Sequence, residues 1–339
     1  MPQLLAGGKQ FIKTGLTATR TLDFACRLVK RRVVVLRYHS IADSPSKFED
    51  VLLPGVVHSL SVFREQMELI ACRYCPVNID QVAGFLGGKM KMPPRAVAVT
   101  FDDGFADNFE IAAPVLNRLG IQALFYVIVD SIEGHRAPWF CRLLYAFRRV
   151  RKTEWPDSTA GRVHVLRTPE QRWSAFLVAS ERCARSSGRN QQTTLSRIEQ
   201  ELEVEPLRPE QCPMMSWDQL GYLQRAGHLV GSHSLTHPNL AYVDAHTQRR
   251  EIFESKALLE SRLGTEVRHF SYPNPIMSPN FNGDTLQLTK QAGYATAATV
   301  VAGPVSRGQE QHAIRRTSVP STKDEFQWYV ENTLLGRQL

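Results

Sequence analysis

Short apolar runs alternate with amphipathic segments along most of the chain. The first run, residues 33–38, is rich in β-branched side chains and predicts a buried strand. Similar runs predict strands at residues 95–99, 121–129, 228–232, 267–272, 294–299 and 313–319. Apolar residues spaced by three and four positions predict helices between these strands. The alternation favours parallel strands joined by right-handed helical crossovers, and therefore an α/β fold.

One long segment, residues 131–215, interrupts the alternation. Helical spacing at 139–149, 172–184 and 195–202 predicts a mostly helical insertion that forms a lid, a docking surface or simple packing against the main domain. The predicted parts of the chain are a basic helical segment at 1–32, a main domain at 33–130 and 216–322, the insertion at 131–215 and a C-terminal helix at 323–339.

The composition is that of a globular protein with a substantial core. Among the 339 residues, 43% are hydrophobic and 22% are charged. No run of 18 apolar residues predicts a membrane-spanning helix, and the first residues lack the apolar stretch of a secretory signal. The six cysteines are spaced irregularly, which disfavours a disulfide framework and favours reduced thiols. We therefore expect a cytoplasmic protein.

The net charge of +8 favours anionic partners. Basic residues interleave with apolar ones at 11–29 and again at 139–150, as in helices that lie on a membrane surface. Peripheral association with an anionic inner membrane face is one interpretation. The alternatives are an ordinary solvated basic face and, for 11–29, a helix docked on its own domain. No nucleic-acid-binding module is visible, so we expect no nucleic-acid partner.

Polar residues cluster at the ends of three predicted strands: His39, the pair Asp102 and Asp103, and the pair His233 and His237. In parallel α/β folds such strand ends converge on one face. Two imidazoles and one carboxylate bind a metal and leave open positions for water and substrate, which indicates a catalytic site. The alternative is an ordinary polar turn at the aspartates and histidines that satisfy the core.

Three short motifs resemble the ordered motifs of the polysaccharide deacetylases, carbohydrate esterase family 4 with its NodB-homology domain. They are Thr100-Phe101-Asp102-Asp103-Gly104, His233-Ser234-Leu235-Thr236-His237 and Phe270-Ser271-Tyr272-Pro273. The resemblance spans residues 33 to about 320, apart from the insertion. It implies a distorted (β/α)7 barrel and a hydrolase that acts on linear amide C–N bonds.

The resemblance also implies roles for individual residues. Asp103, His233 and His237 would bind one divalent metal ion, commonly zinc in this family. Asp102 would act as the general base, and Tyr272 would stabilise the oxyanion through its backbone N–H.

The chain departs from the family pattern at the general acid, because the usual Leu-x-x-His motif near the C-terminus is missing. His39, which follows the first strand, resembles the permuted acid of exopolysaccharide deacetylases, and we predict that it fills this role. The alternative is a histidine that packs at a strand end.

A second departure concerns the arginine that orients the base, since Ser271 stands where the family motif has arginine. Arg315 and Arg316 at the end of a late strand are the candidates to replace it. Asn108 either lines the site or caps the helix that follows, and the sequence favours the cap.

These observations predict a metal-dependent N-deacetylase for an amino sugar in a saccharide or in its lipid- or nucleotide-linked precursor. The missing signal and anchor favour the precursor. One alternative is a related amide hydrolase, such as a deformylase or a non-sugar amidase. A non-catalytic carbohydrate-binding relative is disfavoured because the base and all three metal ligands are present.

Overall fold

The computed structural model describes residues 31–275 and 277–337. The predicted helix at 11–29, and with it nearly all of the N-terminal segment at 1–32, lies outside these residues. Within the described ranges, no helix has the length and apolar character needed to cross a membrane. The five cysteines in these ranges form no disulfide, in agreement with the expected reduced thiols.

The strands, in chain order, are β1 (Arg32–Tyr38), β2 (Ser40–Ala42), β3 (Val57–Ser59), β4 (Cys75–Pro76), β5 (Ala96–Phe101), β6 (Ala123–Val127), β7 (Glu154–Asp157), β8 (Arg162–Val165), β9 (Leu229–Ser232), β10 (His269–Ser271), β11 (Thr296–Ala298), β12 (Val305–Ser306) and β13 (Thr317–Ser318). The α-helices are α1 (Leu60–Arg73), α2 (Ile79–Leu86), α3 (Ala113–Arg118), α4 (Val129–Glu133), α5 (Trp139–Arg149), α6 (Pro169–Ala184), α7 (Gly188–Leu202), α8 (Trp217–Arg225), α9 (Ala245–Leu263), α10 (Gly283–Gln291) and α11 (Lys323–Leu334).

The main sheet curls into a distorted barrel, which confirms the predicted fold class. Among the described residues, six of its nine strands run parallel in the order β11–β10–β9–β6–β5–β1, and β12 pairs antiparallel with β1 at the edge. Residues 314–318 complete the barrel, because Ile314 bridges Ala298 at the end of β11 and β13 pairs with β1 in parallel. The six parallel strands and this closing segment together form the seven-membered wall of the barrel. A predicted strand at 313–319 is thus shorter in the structure and begins after a turn of 3₁₀ helix at Gln311–Ala313.

The uninterrupted apolar pattern of β1 follows from its burial on both faces. Val33 and Val35 pack with residues from the other strands, including Tyr126. Val34 and Leu36 point the opposite way and pack in a second cluster under the surrounding helices. Strand β5 behaves in the same way, since all six of its residues are buried.

Strand register brings the predicted site residues to one rim of the barrel. Strands β1 and β5 pair from Val33 opposite Ala96 to Tyr38 opposite Phe101, so both end at the same level. The Asp102 N–H donates to the Tyr38 carbonyl over 3.0 Å, and the His233 N–H donates to the Val127 carbonyl over 2.8 Å. Residues that follow these strands therefore emerge side by side.

Helices α5, α6 and α7 pack around an apolar cluster of their own, which includes Trp139, Trp155, Phe176 and Ile198. The predicted helices of the insertion are present, and an unpredicted antiparallel hairpin, β7–β8, lies between the first two. The alternation of this hairpin was hidden because the residues of β8 are mostly exposed. The boundaries of the insertion and of the other predicted parts stay a prediction.

Candidate metal and catalytic centre

Asp103, His233 and His237 lie together at the rim of the barrel, all buried. The Oδ1 atom of Asp103 is 3.5 Å from Nε2 of His233 and 3.7 Å from Nε2 of His237. One ligand atom from each side chain lies within 4.8 Å of the others. Two imidazoles and a carboxylate converging on one point fit a divalent ion such as zinc and leave positions open for other ligands.

The backbone of this cluster is unusual at three non-glycine positions. The φ angles of Asp103, Ser234 and His237 are 76°, 65° and 59°, in the left-handed region. Such conformations cost on the order of 1 kcal/mol or more each and tend to persist at functional sites. Here they turn the chain at the ends of β5 and β9, so that the ligand side chains face one another.

Burial prepares both histidines as ligands, and a hydrogen bond also orients the ring of His233. Nδ1 of His233 lies 2.8 Å from the Ser271 carbonyl and therefore carries the proton, which leaves the Nε2 lone pair directed at Asp103. Burial lowers the pKa of His233 and lowers that of His237 well below its ordinary value. Both rings are consequently neutral, which is the form that binds metals.

Glu251 of α9, which the sequence analysis missed, holds the loop between the histidines. Its carboxylate accepts hydrogen bonds from the N–H groups of Leu235 and Thr236 over 2.9 and 2.8 Å, and from the Thr236 hydroxyl over 2.6 Å. The side chain is fully buried. The signal that could have revealed Glu251 in the sequence is an acidic residue on the apolar, buried face of a long helix.

The insertion contacts the same loop. The indole N–H of Trp139, at the start of α5, donates to the His237 carbonyl over 3.0 Å. The ring of Phe140 lies 4.8 Å from the His237 ring, measured between centroids. The insertion therefore supports a candidate metal ligand directly.

Asp102 is held by Arg316 and not by Arg315. Nη1 and Nη2 of Arg316 donate to the two carboxylate oxygens of Asp102, while Arg315 is half-buried and outside this contact. Burial alone raises the pKa of Asp102, but the charge and the hydrogen bonds of the Arg316 guanidinium outweigh it and bring the net pKa well below the usual range. Asp102 is therefore ionised at neutral pH.

His39 faces the same cavity as Asp102 and the metal cluster. Burial, together with the positive charge of Arg37, lowers the pKa of His39 to about 3. The imidazole is therefore neutral at neutral pH.

Asn108 takes neither of its two predicted positions. It is fully buried and outside the lining of the cavity, and its amide donates to the His39 carbonyl over 2.6 Å and to Asp107 Oδ1 over 2.7 Å. It also makes no side-chain cap, because the chain enters the next helix through a π-helical turn, Asn108–Ala112. Asn108 instead fixes the backbone that carries His39.

The structure also corrects the role predicted for Tyr272. Its N–H donates to the Ala298 carbonyl over 3.0 Å as part of the sheet, so it is already engaged. Its side chain packs on Phe281, and its hydroxyl donates to the His312 carbonyl over 3.1 Å. The residues two and three positions after Tyr272, Asn274 and Pro275, line the cavity instead.

A cavity of about 270 Å³ opens over this centre. Asp102, Asp103 and the three histidines form its floor, together with Arg37. Its walls are mostly apolar and come from the loop at 51–56 and from the insertion; these wall residues are Val51, Leu52, Leu53, Val56, Trp139, Phe140, Leu144 and Phe176. The arrangement suits hydrolysis of a small polar group presented to a metal and a carboxylate base.

Known proteins share this arrangement of elements. The family model for polysaccharide deacetylases matches residues 89–297. A similar protein is YxkH of Bacillus subtilis (strain 168), whose name assigns it provisionally to the polysaccharide deacetylases; it is 21% identical over 293 residues, which cover 85% of this chain and 71% of that protein.

Two solved structures are similar over most of both chains. The Streptococcus pyogenes deacetylase PplD in complex with acetate has a TM-score of 0.59 and 17% identity, over 90% of this chain and 99% of that one. IcaB from Ammonifex degensii has a TM-score of 0.55 and 19% identity, over 90% and 97%. At such identities these structures establish the fold.

Proposed function

This chain belongs to the polysaccharide deacetylase family, whose members hydrolyse the C–N bond of acetamido groups, and we propose that it is a metal-dependent N-deacetylase of an amino sugar. The observation that carries the proposal is the buried cluster of Asp103, His233 and His237 beside an ionised Asp102. The substrate is a saccharide or its lipid- or nucleotide-linked precursor.

Asp103, His233 and His237 would hold the metal, for which zinc is our proposal. A bound divalent ion would polarise the amide carbonyl and lower the pKa of water. Without a cation, burial and the adjacent Asp102 charge raise the pKa of Asp103 well above its usual range. A cation at this point would offset that penalty, which supports a metal-binding role for the cluster.

Asp102 acts as the general base. The two hydrogen bonds from Arg316 keep its carboxylate ionised and fix its orientation toward the cavity. A further donor from Arg316 to the Ser271 hydroxyl, over 2.8 Å, holds the guanidinium in place. The carboxylate can therefore accept a proton from water without first losing one of its own.

His39 supplies the proton that the departing amine needs. Because its low pKa leaves the ring neutral at rest, His39 must first gain a proton, the one that Asp102 takes from water, and then donate it to the amine nitrogen. The Asn108 amide, bound to the His39 carbonyl, keeps the backbone of this residue in position.

Asn274 replaces Tyr272 as the proposed backbone donor to the oxyanion. It lines the cavity, and its N–H makes no hydrogen bond to another residue in the described ranges. A backbone N–H beside the reacting carbonyl would stabilise the negative charge that develops on its oxygen.

Release of amine from N-acetylated oligosaccharides, with metal analysis of the same preparation, tests the proposal. We expect hydrolysis to stop after treatment with a chelator and to return with a divalent ion. Equal or better turnover of N-formyl sugars or simple amides would instead favour the related amide hydrolase. A preparation that binds saccharide and metal but never releases amine would favour the non-catalytic relative.

The cytoplasmic location and the peripheral contact with an anionic membrane stay predictions from composition. Sedimentation with liposomes tests the second, and it must increase with the fraction of anionic lipid if the prediction is correct.

A further inference from the structure

Arg37 is a second guanidinium at the rim of the barrel. It lies on β1, opposite Thr100 of β5 and Ser318 of β13, and it lines the cavity beside His39 and Asp102. Its Nη2 atom donates to the Ser318 hydroxyl over 2.8 Å. Arg37 therefore brings a positive charge into the space where the substrate reacts.

The hydrogen bonds of the two rim arginines differ sharply. All three nitrogens of Arg316 donate, to Thr299, Asp102 and Ser271. The Nε atom of Arg37 is buried and has no hydrogen-bond partner, and no carboxylate of the described residues lies within ion-pair distance of it. The side chain as a whole is half-buried. A guanidinium that loses part of its hydration without gaining a counter-ion is unfavourable, and desolvation accordingly lowers the pKa of Arg37 to about 10.

The acidic groups near Arg37 have other partners. Asp102 is bound through both oxygens by Arg316, and Asp103 lies against His233 and His237. Arg37 interacts with these carboxylates only through a more distant charge. None of the residues that the structure describes therefore supplies a counter-ion to Arg37, although its side chain lines a cavity with room for one.

We propose that Arg37 binds an anionic group, phosphate or carboxylate, that the substrate carries close to the acetamido group. The inference rests on the proposed function and narrows its substrate to an acidic or phosphorylated amino sugar. The planar guanidinium suits both kinds of anion because its parallel N–H groups match two oxygens of either. Arg37 is thus a specificity residue, distinct from the arginine that orients the base.

Hydrolysis by the metal-loaded full-length chain tests this inference. The substrates are N-acetylglucosamine 1-phosphate, the neutral methyl glycoside of N-acetylglucosamine, and an N-acetylglucosamine disaccharide with a uronic acid. We expect kcat/KM to be about tenfold or more higher for one of the anionic substrates than for the neutral one. Whichever is preferred identifies phosphate or carboxylate as the group bound.

Arg37→Gln should abolish this preference through KM, and Arg37→Lys should restore part of it. Arg315→Gln, the same charge change outside the cavity, should retain it. The inference is wrong if the wild type shows no preference, or if Arg37→Gln lowers kcat equally for neutral and anionic substrates, because Arg37 would then act on the transition state or on folding.

Binding of inorganic phosphate and of glucuronate, measured by calorimetry, separates this inference from the proposed function. An enzyme that hydrolyses none of the substrates, yet binds one anion in a manner that Arg37→Gln weakens at least tenfold, would contradict the deacetylase proposal and support the anion site. Hydrolysis of the substrates without any anion binding or substrate preference that depends on Arg37 would support the deacetylase proposal and contradict the anion site.

Discussion

Nη1 and Nη2 of Arg316 lie 2.6 and 2.8 Å from the two carboxylate oxygens of Asp102, although 214 positions separate these residues in the chain. Both side chains are buried. Arg316 reaches the aspartate because residues 314–318 close the barrel between β11 and β1. The segment that closes the barrel thus supplies the arginine that binds the proposed base. In the family motif this arginine stands beside the third motif, where this chain has Ser271.

Arg316→Gln should lower kcat/KM by about 100-fold or more, because Asp102 loses its orientation and its low pKa. The acid limb of the pH profile should move to higher pH, since a carboxylate without its guanidinium binds protons more readily. Thermal unfolding should also show a loss of about 3 kcal/mol, as for other broken buried pairs. Arg315→Gln is the matched control, and equal effects of the two changes would contradict the assignment.

Asp102→Asn and Asp103→Asn should separate the two adjacent carboxylates. Asp102→Asn should retain metal, as measured by elemental analysis, and lose about 100-fold to 10,000-fold in kcat because the base is gone. Asp103→Asn should lose metal together with activity. If Asp102→Asn lost the metal and Asp103→Asn retained it, Asp102 would be the metal ligand and Asp103 the base.

His39→Ala should lower kcat by about 100-fold or more while metal content stays unchanged, because the leaving amine loses its proton donor. His135→Ala, which removes an exposed histidine, is the control. Full activity of His39→Ala on an N-acetylated oligosaccharide would assign the proton donor to another group.

Glu251→Gln should weaken metal binding by about 10-fold to 100-fold, because residues that position ligands have effects of this size. The amide can replace only part of the three hydrogen bonds that the carboxylate accepts from Leu235 and Thr236. Competition with a metal-sensitive dye gives the affinity. Glu254→Gln, an exposed change on the same helix, should leave it unaltered.

His228 should make the fold sensitive to acid independently of the catalytic centre. Burial lowers its pKa from 6.5 to about 4, and its ring bonds the Ala123 N–H and the Asn117 side chain. The unfolded chain therefore binds a proton more readily than the native one, and stability falls as the pH drops from 6.5 to 4, by at most about 3 kcal/mol.

Denaturant unfolding of wild type and His228→Gln across that pH range measures this effect. The variant should lose less stability on acidification, whereas His135→Gln should behave as the wild type. Identical pH slopes for all three proteins would show that His228 contributes nothing.

The sequence by itself determined those features that depend only on residues close together in the chain. Local apolar runs predict the buried strands. The Asp102–Asp103 pair and the histidines 233 and 237 lie at or just after the ends of such strands. Parallel strands then bring such ends together, so a parallel α/β fold and the grouping of two imidazoles with a carboxylate followed from local patterns. The barrel and the choice of Asp103 as the ligand came from the resemblance of the motifs to those of the polysaccharide deacetylases.

Only the tertiary structure decided the contacts that depend on exact placement of distant segments. The choice of Arg316 over Arg315 follows from which side chain points inward at the closing segment. Tyr272 lost its predicted role because its N–H pairs with β11, and Asn108 because it reaches across to His39. Glu251 lies on the helix that follows the histidine loop, 15 and 16 positions after the residues it binds. Such pairings join residues between 15 and 214 positions apart, and they depend on strand register and packing that no local pattern encodes.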